Sequence, residues 1–188
     1  YKSTRAQEAH SGHPPSSEVN CLSCHMPRMV QGLDDVIRTH RISSPTDPRM
    51  FEKAMPNACN LCHLDRSVLW TVENLQSMWR RELYPLDHWK RWYGGSLDTP
   101  VGEAWLSHRE PVVRLVAADA YARSPLGRAK LAEVLESLND PMAVNRMFGL
   151  FAVERIIGRR LNDTAYAPMA APAVRAKQVK RLKKRLLK

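Results

Sequence analysis

Cys21, Cys24 and His25 in "CLSCH" and Cys59, Cys62 and His63 in "CNLCH" use all four cysteines of the chain and place a histidine directly after each pair. A Cys-x-x-Cys pair is open to three chemistries, namely a disulfide, a zinc site and thioether attachment of haem, and the following histidine favours the third. Two thiols three positions apart can add to the two vinyl groups of one porphyrin, and the next residue is then placed to bind iron from the proximal face. Zinc held by four thiolates would leave both histidines without a role. The roughly 34 residues between the pairs also exceed the usual spacing of a zinc ribbon. The motifs therefore predict two c-type haems, with His25 and His63 as proximal iron ligands.

A haem iron also takes a sixth ligand or keeps that position open, and the choice separates carriers from catalysts. Five histidines remain: His10, His13, His40, His88 and His108. The first three are the distal candidates, because they lie far enough from the motifs for the chain to travel round a porphyrin edge. His88 and His108 fall among helices, where a core or surface role is the default. Met26 adjoins a proximal ligand and cannot reach the opposite face of the same haem, and Met29, Met50 and Met55 read as packing residues. Arg28, Arg38, Arg41 and Arg49 stand near the motifs, where pairing with haem propionates and plain solvation are equal alternatives. Trp70, Trp79, Trp89, Trp92 and Trp105 suit either haem walls or a helical core.

The elements that must hold these groups differ along the chain. Residues 1–64 read as irregular, rich in His, Pro, Ser, Asn and Asp, with no sustained helical or strand period. Such a stretch builds no core of its own, and a porphyrin would supply the missing interior. From Asp65 the pattern becomes helical. Asp65 is the expected cap of a helix running to about Leu83, with Val68, Leu69, Val72, Leu75, Met78 and Trp79 on one face, and a turn-rich stretch follows through Gly94, Gly95 and Pro100. Glu110-Pro111, Ser124-Pro125 and Asp140-Pro141 each read as a helix start with proline in the first position. "EPVVRLVAADAYAR" and "DPMAVNRMFGLFAVER" resemble each other, aligning Arg114 with Arg146 and Ala120 with Ala152, which suggests HEAT-type helical repeats over an ordinary bundle. The predicted fold is mainly α: an irregular di-haem segment (1–64), HEAT-like repeats (65–161), then an Ala/Pro linker and basic C-terminal helix (162–188).

The 188 residues carry a formal net charge of +10, which ordinarily suggests acidic partners. Haem propionates would absorb part of that excess, so no nucleic acid is needed to explain it. No stretch reads as a signal peptide or membrane span. The chain opens at Tyr1 without methionine, which is read as a piece of something longer. The basic tail, "VRAKQVKRLKKRLLK", reads as a solvated helix, with contact to anionic lipid or a partner as the alternative.

"CLSCHMP" followed by "RTHRISSPTDP", then "MPNACNLCHLDRS" and "WKRWYG", resembles the C-terminal haem-bearing region of multihaem cytochromes c that carry TPR or HEAT repeats. The resemblance covers roughly residues 7–95 closely. It implies that Cys21, Cys24 and His25 bind one haem and Cys59, Cys62 and His63 the other, with His40 and one of His10 or His13 as distal ligands. Thr39 stands where that family has aspartate, and the family carries further motifs upstream. One of His10 and His13 is then expected to serve a haem borne elsewhere.

The expected function is electron transfer through two bis-histidine, low-spin haems, as a subunit or segment of a multihaem cytochrome working with redox proteins or further haem-bearing subunits. Haem attachment of this type takes place outside the bacterial cytoplasm, so a periplasmic or extracellular location is expected. The alternative is an enzyme with one five-coordinate haem that reduces nitrite, hydroxylamine or peroxide. A third reading is a basic helical scaffold or nucleic-acid module with a zinc site.

Overall fold

Short runs of polar residues punctuated by Gly, Pro and Asn produce short elements. In the computed structural model, which describes residues 3–80, 86–93 and 97–188, the first helix, α1 (Thr4–Ser11), begins where the Ser3 hydroxyl accepts the Ala6 N–H at 3.2 Å. It ends where Gly12 turns left-handed at φ 69°. This helix was not legible as a period, because most of it faces solvent. A single helical turn follows, α2 (Cys21–His25), and then an antiparallel hairpin of β1 (Arg28–Gln31) and β2 (Val36–Arg38), with Val30 opposite Ile37. The alternation of a pleated strand sends Val36 inward against Leu115, Val116 and Phe148 and leaves Ile37 exposed.

The remainder is helical: α3 (Val68–Trp79), α4 (Leu86–Tyr93), α5 (Val101–Leu106), α6 (Pro111–Arg123), α7 (Leu131–Val134), α8 (Ala143–Ile157) and α9 (Pro172–Leu186). The chain is thus mainly α, as expected. Ser67, not Asp65, caps α3, its hydroxyl accepting the Trp70 N–H at 3.1 Å. The ends of the expected helix and turn, Leu83, Gly94 and Gly95, lie outside the described residues. Val68, Val72 and Leu75 are buried while Met78 is exposed. Where turns were expected, α4 forms and drives Trp89 into the core, edge-on to Phe51 with ring centres 4.6 Å apart. Burial of two aromatic rings outweighs the weak local signal.

Of the three proline starts, Glu110-Pro111 opens α6 as expected. Asp140-Pro141 precedes α8 by a short bend, with Asp140 Oδ1 accepting the Met142 N–H at 2.8 Å. Ser124-Pro125 starts no helix. The Ser124 N–H still closes α6 on the Tyr121 carbonyl, and its hydroxyl accepts the Leu126 N–H at 3.1 Å, so the chain is spent on turns until Leu131.

Helices α6 and α8 pack together and share a local device. The Arg114 guanidinium donates to the carbonyls of His108 and Arg109 at 2.7 and 3.1 Å, and that of Arg146 to Asp140 and Pro141 at 2.9 Å each, the same offsets back along the chain. Arg114 also forms a fork with the buried Asp140 carboxylate at 2.6 and 3.1 Å. Ala120 and Ala152 are both buried. The Ala/Pro linker packs through Tyr166, fully buried, whose hydroxyl donates to the Leu138 carbonyl. The basic helix α9 buries Gln178, Val179 and Leu182 and pairs Lys183 with Glu136. Among the described residues no helix is long and apolar enough to cross a membrane.

Candidate haem site

The two motifs are shaped by different local devices. Asn20 caps α2, its side chain accepting the N–H groups of Leu22 and Ser23 at 3.0 and 3.2 Å, while the Ser23 hydroxyl accepts the Asn20 N–H at 3.3 Å. At the other end the Arg38 guanidinium donates to the Leu22 and Met26 carbonyls at 2.6 and 3.1 Å. The second motif lies in turns, held by a buried amide network. Asn57 Nδ2 donates to Asn60 Oδ1 at 2.9 Å, Thr71 Oγ1 donates to the same oxygen at 2.8 Å, and Asn60 Nδ2 reaches the His63 and Arg66 carbonyls at 3.3 and 3.2 Å. Asn60 thereby ties "CNLCH" to α3. Sequence reasoning missed Asn57 and Asn60; the only available signal was two asparagines bracketing Ala58-Cys59.

Each motif histidine faces one histidine of "HSGH". His10 and His25 have ring centres 6.1 Å apart and planes within 12°; His13 and His63 have centres 6.2 Å apart at 33°. An imidazole nitrogen bonds a first-row metal at about 2 Å, so two rings joined through one metal ion have centres about 6 Å apart. Aromatic side chains in direct contact also fall in this range. Two further observations bear on the choice. His25 Nδ1 donates to the Ser43 carbonyl at 2.7 Å and His13 Nδ1 to the Ser11 carbonyl at 2.8 Å. A carbonyl only accepts, so both Nδ1 atoms carry a proton, and in the neutral ring that tautomer leaves the lone pair on Nε2, the arrangement of metal-binding imidazoles. Burial, with the nearby His13, holds His63 below the ordinary histidine range and so neutral.

Two residues at the end of α3 hold the "HSGH" segment. Trp79 Nε1 donates to the His10 carbonyl at 3.0 Å, and Met78 packs against Gly12. Trp70 lies beside His63, ring centres 4.8 Å apart, and the Arg66 guanidinium lies over the Trp70 ring, 5.9 Å from its centre. Trp70 and Trp79 thus belong to the histidine cluster, whereas Trp89 and Trp105 are core.

Burial, with the nearby Cys24 and Cys62, pushes the Cys59 thiol up to about 12; burial also raises Cys24, and it raises Cys62 against the pull of Arg38. A thioether sulfur is uncharged and tolerates such enclosure. The thiols of the two motifs are close enough to influence each other, yet among the described residues no three His, Cys, Asp or Glu groups converge on a metal-sized site. A haem iron asks only two ligands of the protein. An open cleft of about 220 Å³ is bounded by Ser23, Arg38 and Cys62 on the motif side and by Asp119, Ala120 and Arg123 of α6. One haem on each motif would find the residue types it needs, two thiols, the adjacent histidine and the histidine facing it.

His40 is exposed and faces neither motif histidine. His88 neighbours Trp92, and His108 Nδ1 accepts the Glu110 N–H at 3.1 Å. Met50 is core, and Met29 and Met55 pack against it. Arg28 bonds the Val36 carbonyl and Arg49 forks onto Asp47, while Arg41 stays exposed. No family model, curated protein or solved structure matches this chain.

Proposed function

We propose that the chain binds two c-type haems and transfers electrons through them. Cys21, Cys24 and His25 would hold one and Cys59, Cys62 and His63 the other, with His10 and His13 as the respective sixth ligands. Bound in this way, haem supplies one-electron chemistry whose potential follows axial ligation and burial. The observation that carries the reading is the doubled facing of histidines, each pair joining one motif to one histidine of "HSGH" at the spacing a shared metal requires. Ser43 and Ser11 carbonyls fix two of the four rings, and Trp79 fixes the segment that presents His10. Filled axial positions favour a carrier over a reductase.

The helical part would then be a short HEAT-like array, supported by the matching offsets of Arg114 and Arg146, that docks redox proteins or further haem-bearing subunits. Attachment chemistry of this type argues for a periplasmic or extracellular site of action.

The test is to produce the chain with a c-type haem maturation system and measure intact mass and ligand reactivity. The wild type is expected to gain two haems and to ignore carbon monoxide, with His10→Ala and His13→Ala each making half the haem reactive. Absence of added porphyrin overturns the reading, and carbon monoxide binding by the wild type would transfer support to the reductase.

A further inference from the structure

With His10 opposite His25 and His13 opposite His63, both motifs have a partner and one expected distal ligand, His40, has no role left inside the chain. His40 is not a loose surface residue. It sits on a strap pinned on both sides: the Thr39 N–H donates to the Pro27 carbonyl at 3.0 Å, and the Ser43 N–H to the His25 carbonyl at 3.0 Å. The Ser43 carbonyl in turn accepts His25 Nδ1 at 2.7 Å, and the Arg41 N–H closes a turn onto Thr39 Oγ1 at 3.2 Å. These tethers hold the strap to the backbone on the His25 side of the first pair, away from the distal position that His10 takes. The His40 side chain itself is exposed, with no hydrogen-bond or ring partner among the described residues.

The segment that carries it, residues 30–42, exposes several large apolar side chains. Leu33 at the hairpin tip is 96% exposed and Ile42 is 75% exposed. Val30 and Ile37, opposite each other in the hairpin and therefore on one face, are exposed as well. Exposed large apolar residues gathered in one short segment mark a contact surface. Exposed Arg41 adds a cation that suits a carboxylate. An imidazole on a tethered strap, exposed apolar side chains and one arginine within residues 30–42 are the residue types that the face of a haem would meet: iron, porphyrin and propionate.

We infer that His40 is the axial ligand of a c-type haem attached outside residues 1–188 and presented by a partner redox polypeptide docked on the outer face of the hairpin. This rests on the two-haem reading above, since His40 is spare only if the other two histidines serve the chain's own haems. It also reverses the expectation that His10 or His13 would be the outward-looking ligand.

The probe is the proteolytic haem peptide of a cytochrome c, whose iron carries one histidine and an open sixth position. Intact mass and the chain's own low-spin signals are recorded first, for wild type, His40→Ala, His40→Gln and His88→Ala. Both His40 variants are expected to keep two haems and two low-spin centres. Titrated into the haem peptide, wild type and His88→Ala are expected to convert its high-spin spectrum to a bis-histidine one, with the His40 variants at least tenfold weaker. Equal titration by the His40 variants overturns the inference, as does loss of one of the chain's own low-spin centres in those variants. A wild type without added porphyrin overturns the two-haem reading itself, which the mass measurement distinguishes from a failure at His40.

Discussion

Trp79 Nε1 donates to the main-chain carbonyl of His10 at 3.0 Å, joining the last residue of α3 to α1, the helix that carries His10. The contact spans the boundary between the irregular segment and the helical one, so α3 fixes where His10 stands. It also explains a tryptophan at a helix end whose ring is only partly buried.

Trp79→Phe keeps the ring and removes the donor. The loss of one neutral hydrogen bond is expected to cost about 1 kcal/mol, which converts to roughly fivefold in an equilibrium constant. Cyanide should then displace His10 from the haem on the first motif several-fold more readily than in the wild type. Trp89→Phe, a core change beside Phe51, should lower the melting temperature without that selective effect. Equal cyanide affinity in Trp79→Phe and wild type would remove the positioning role.

Gly12 lies between His10 and His13 in the left-handed region at φ 69°, and an added Cβ would meet Met78 Cε at 1.7 Å. Met78 is exposed and flexible, so it can move aside; the backbone strain cannot be relieved that way. Gly12→Ala is expected to cost about 1–2 kcal/mol and Gly12→Asn less, because asparagine tolerates this conformation. Thermal unfolding followed at the Soret band should rank the proteins wild type, Asn, Ala. Combining Gly12→Ala with Met78→Ala should recover only a minor part of the loss.

Much of the site was legible because it is written in covalent spacing: Cys-x-x-Cys-His at 21–25 and 59–63, and the list of histidines able to face it. Their pairing was not. Gly12 reverses the chain between His10 and His13, sending neighbours to motifs far apart in sequence, and no local pattern encodes that divergence. The same holds for α4, whose helix depends on Trp89 meeting Phe51, and for Asn60, which looks like a solvated filler between two cysteines until Thr71 and Asn57 close around it. Caps were misplaced where two candidates compete a few positions apart, as Asp65 and Ser67 do. Mainly helical character survived these errors because apolar faces recur at helical spacing along the later chain.

Asn60→Leu removes the hub of the buried amide network and leaves Asn57 and Thr71 without their shared acceptor. Each buried polar group left unpaired costs about 1–3 kcal/mol, so the variant is expected to lose roughly 3 kcal/mol or more. Thr71→Val deletes one donor and should cost about 1 kcal/mol. Denaturant unfolding checks the stabilities, and intact mass checks a second consequence, selective loss of the haem on 59–63. An Asn60→Leu protein as stable as wild type would show the network to be dispensable.

Asp140 joins the two similar helices, its carboxylate taking the Arg114 fork, the Met142 N–H and Asn145 Nδ2. Burial alone would raise its pKa, but those donors and the Arg114 charge hold it below the usual carboxylate value. A depressed folded-state pKa adds stability that is fully present above the unfolded value, about 3.9, and is lost as pH falls through the folded value. Asp140→Asn removes the charge, leaves the Arg114 guanidinium enclosed with no counter-ion at this position, and turns an amide toward Asn145. Breaking a buried pair from one side costs about 3–5 kcal/mol, so a loss of that order is expected near neutral pH. Asp35, Asp47 and Glu136 also sit below their usual range and keep part of the acid sensitivity in both proteins. The gap between wild type and Asp140→Asn should therefore narrow, without closing the whole acid limb, as pH is lowered below about 4. Thermal unfolding followed by helix signal across that window measures it, and a gap independent of pH would mean that Asp140 acts through packing and not through its charge.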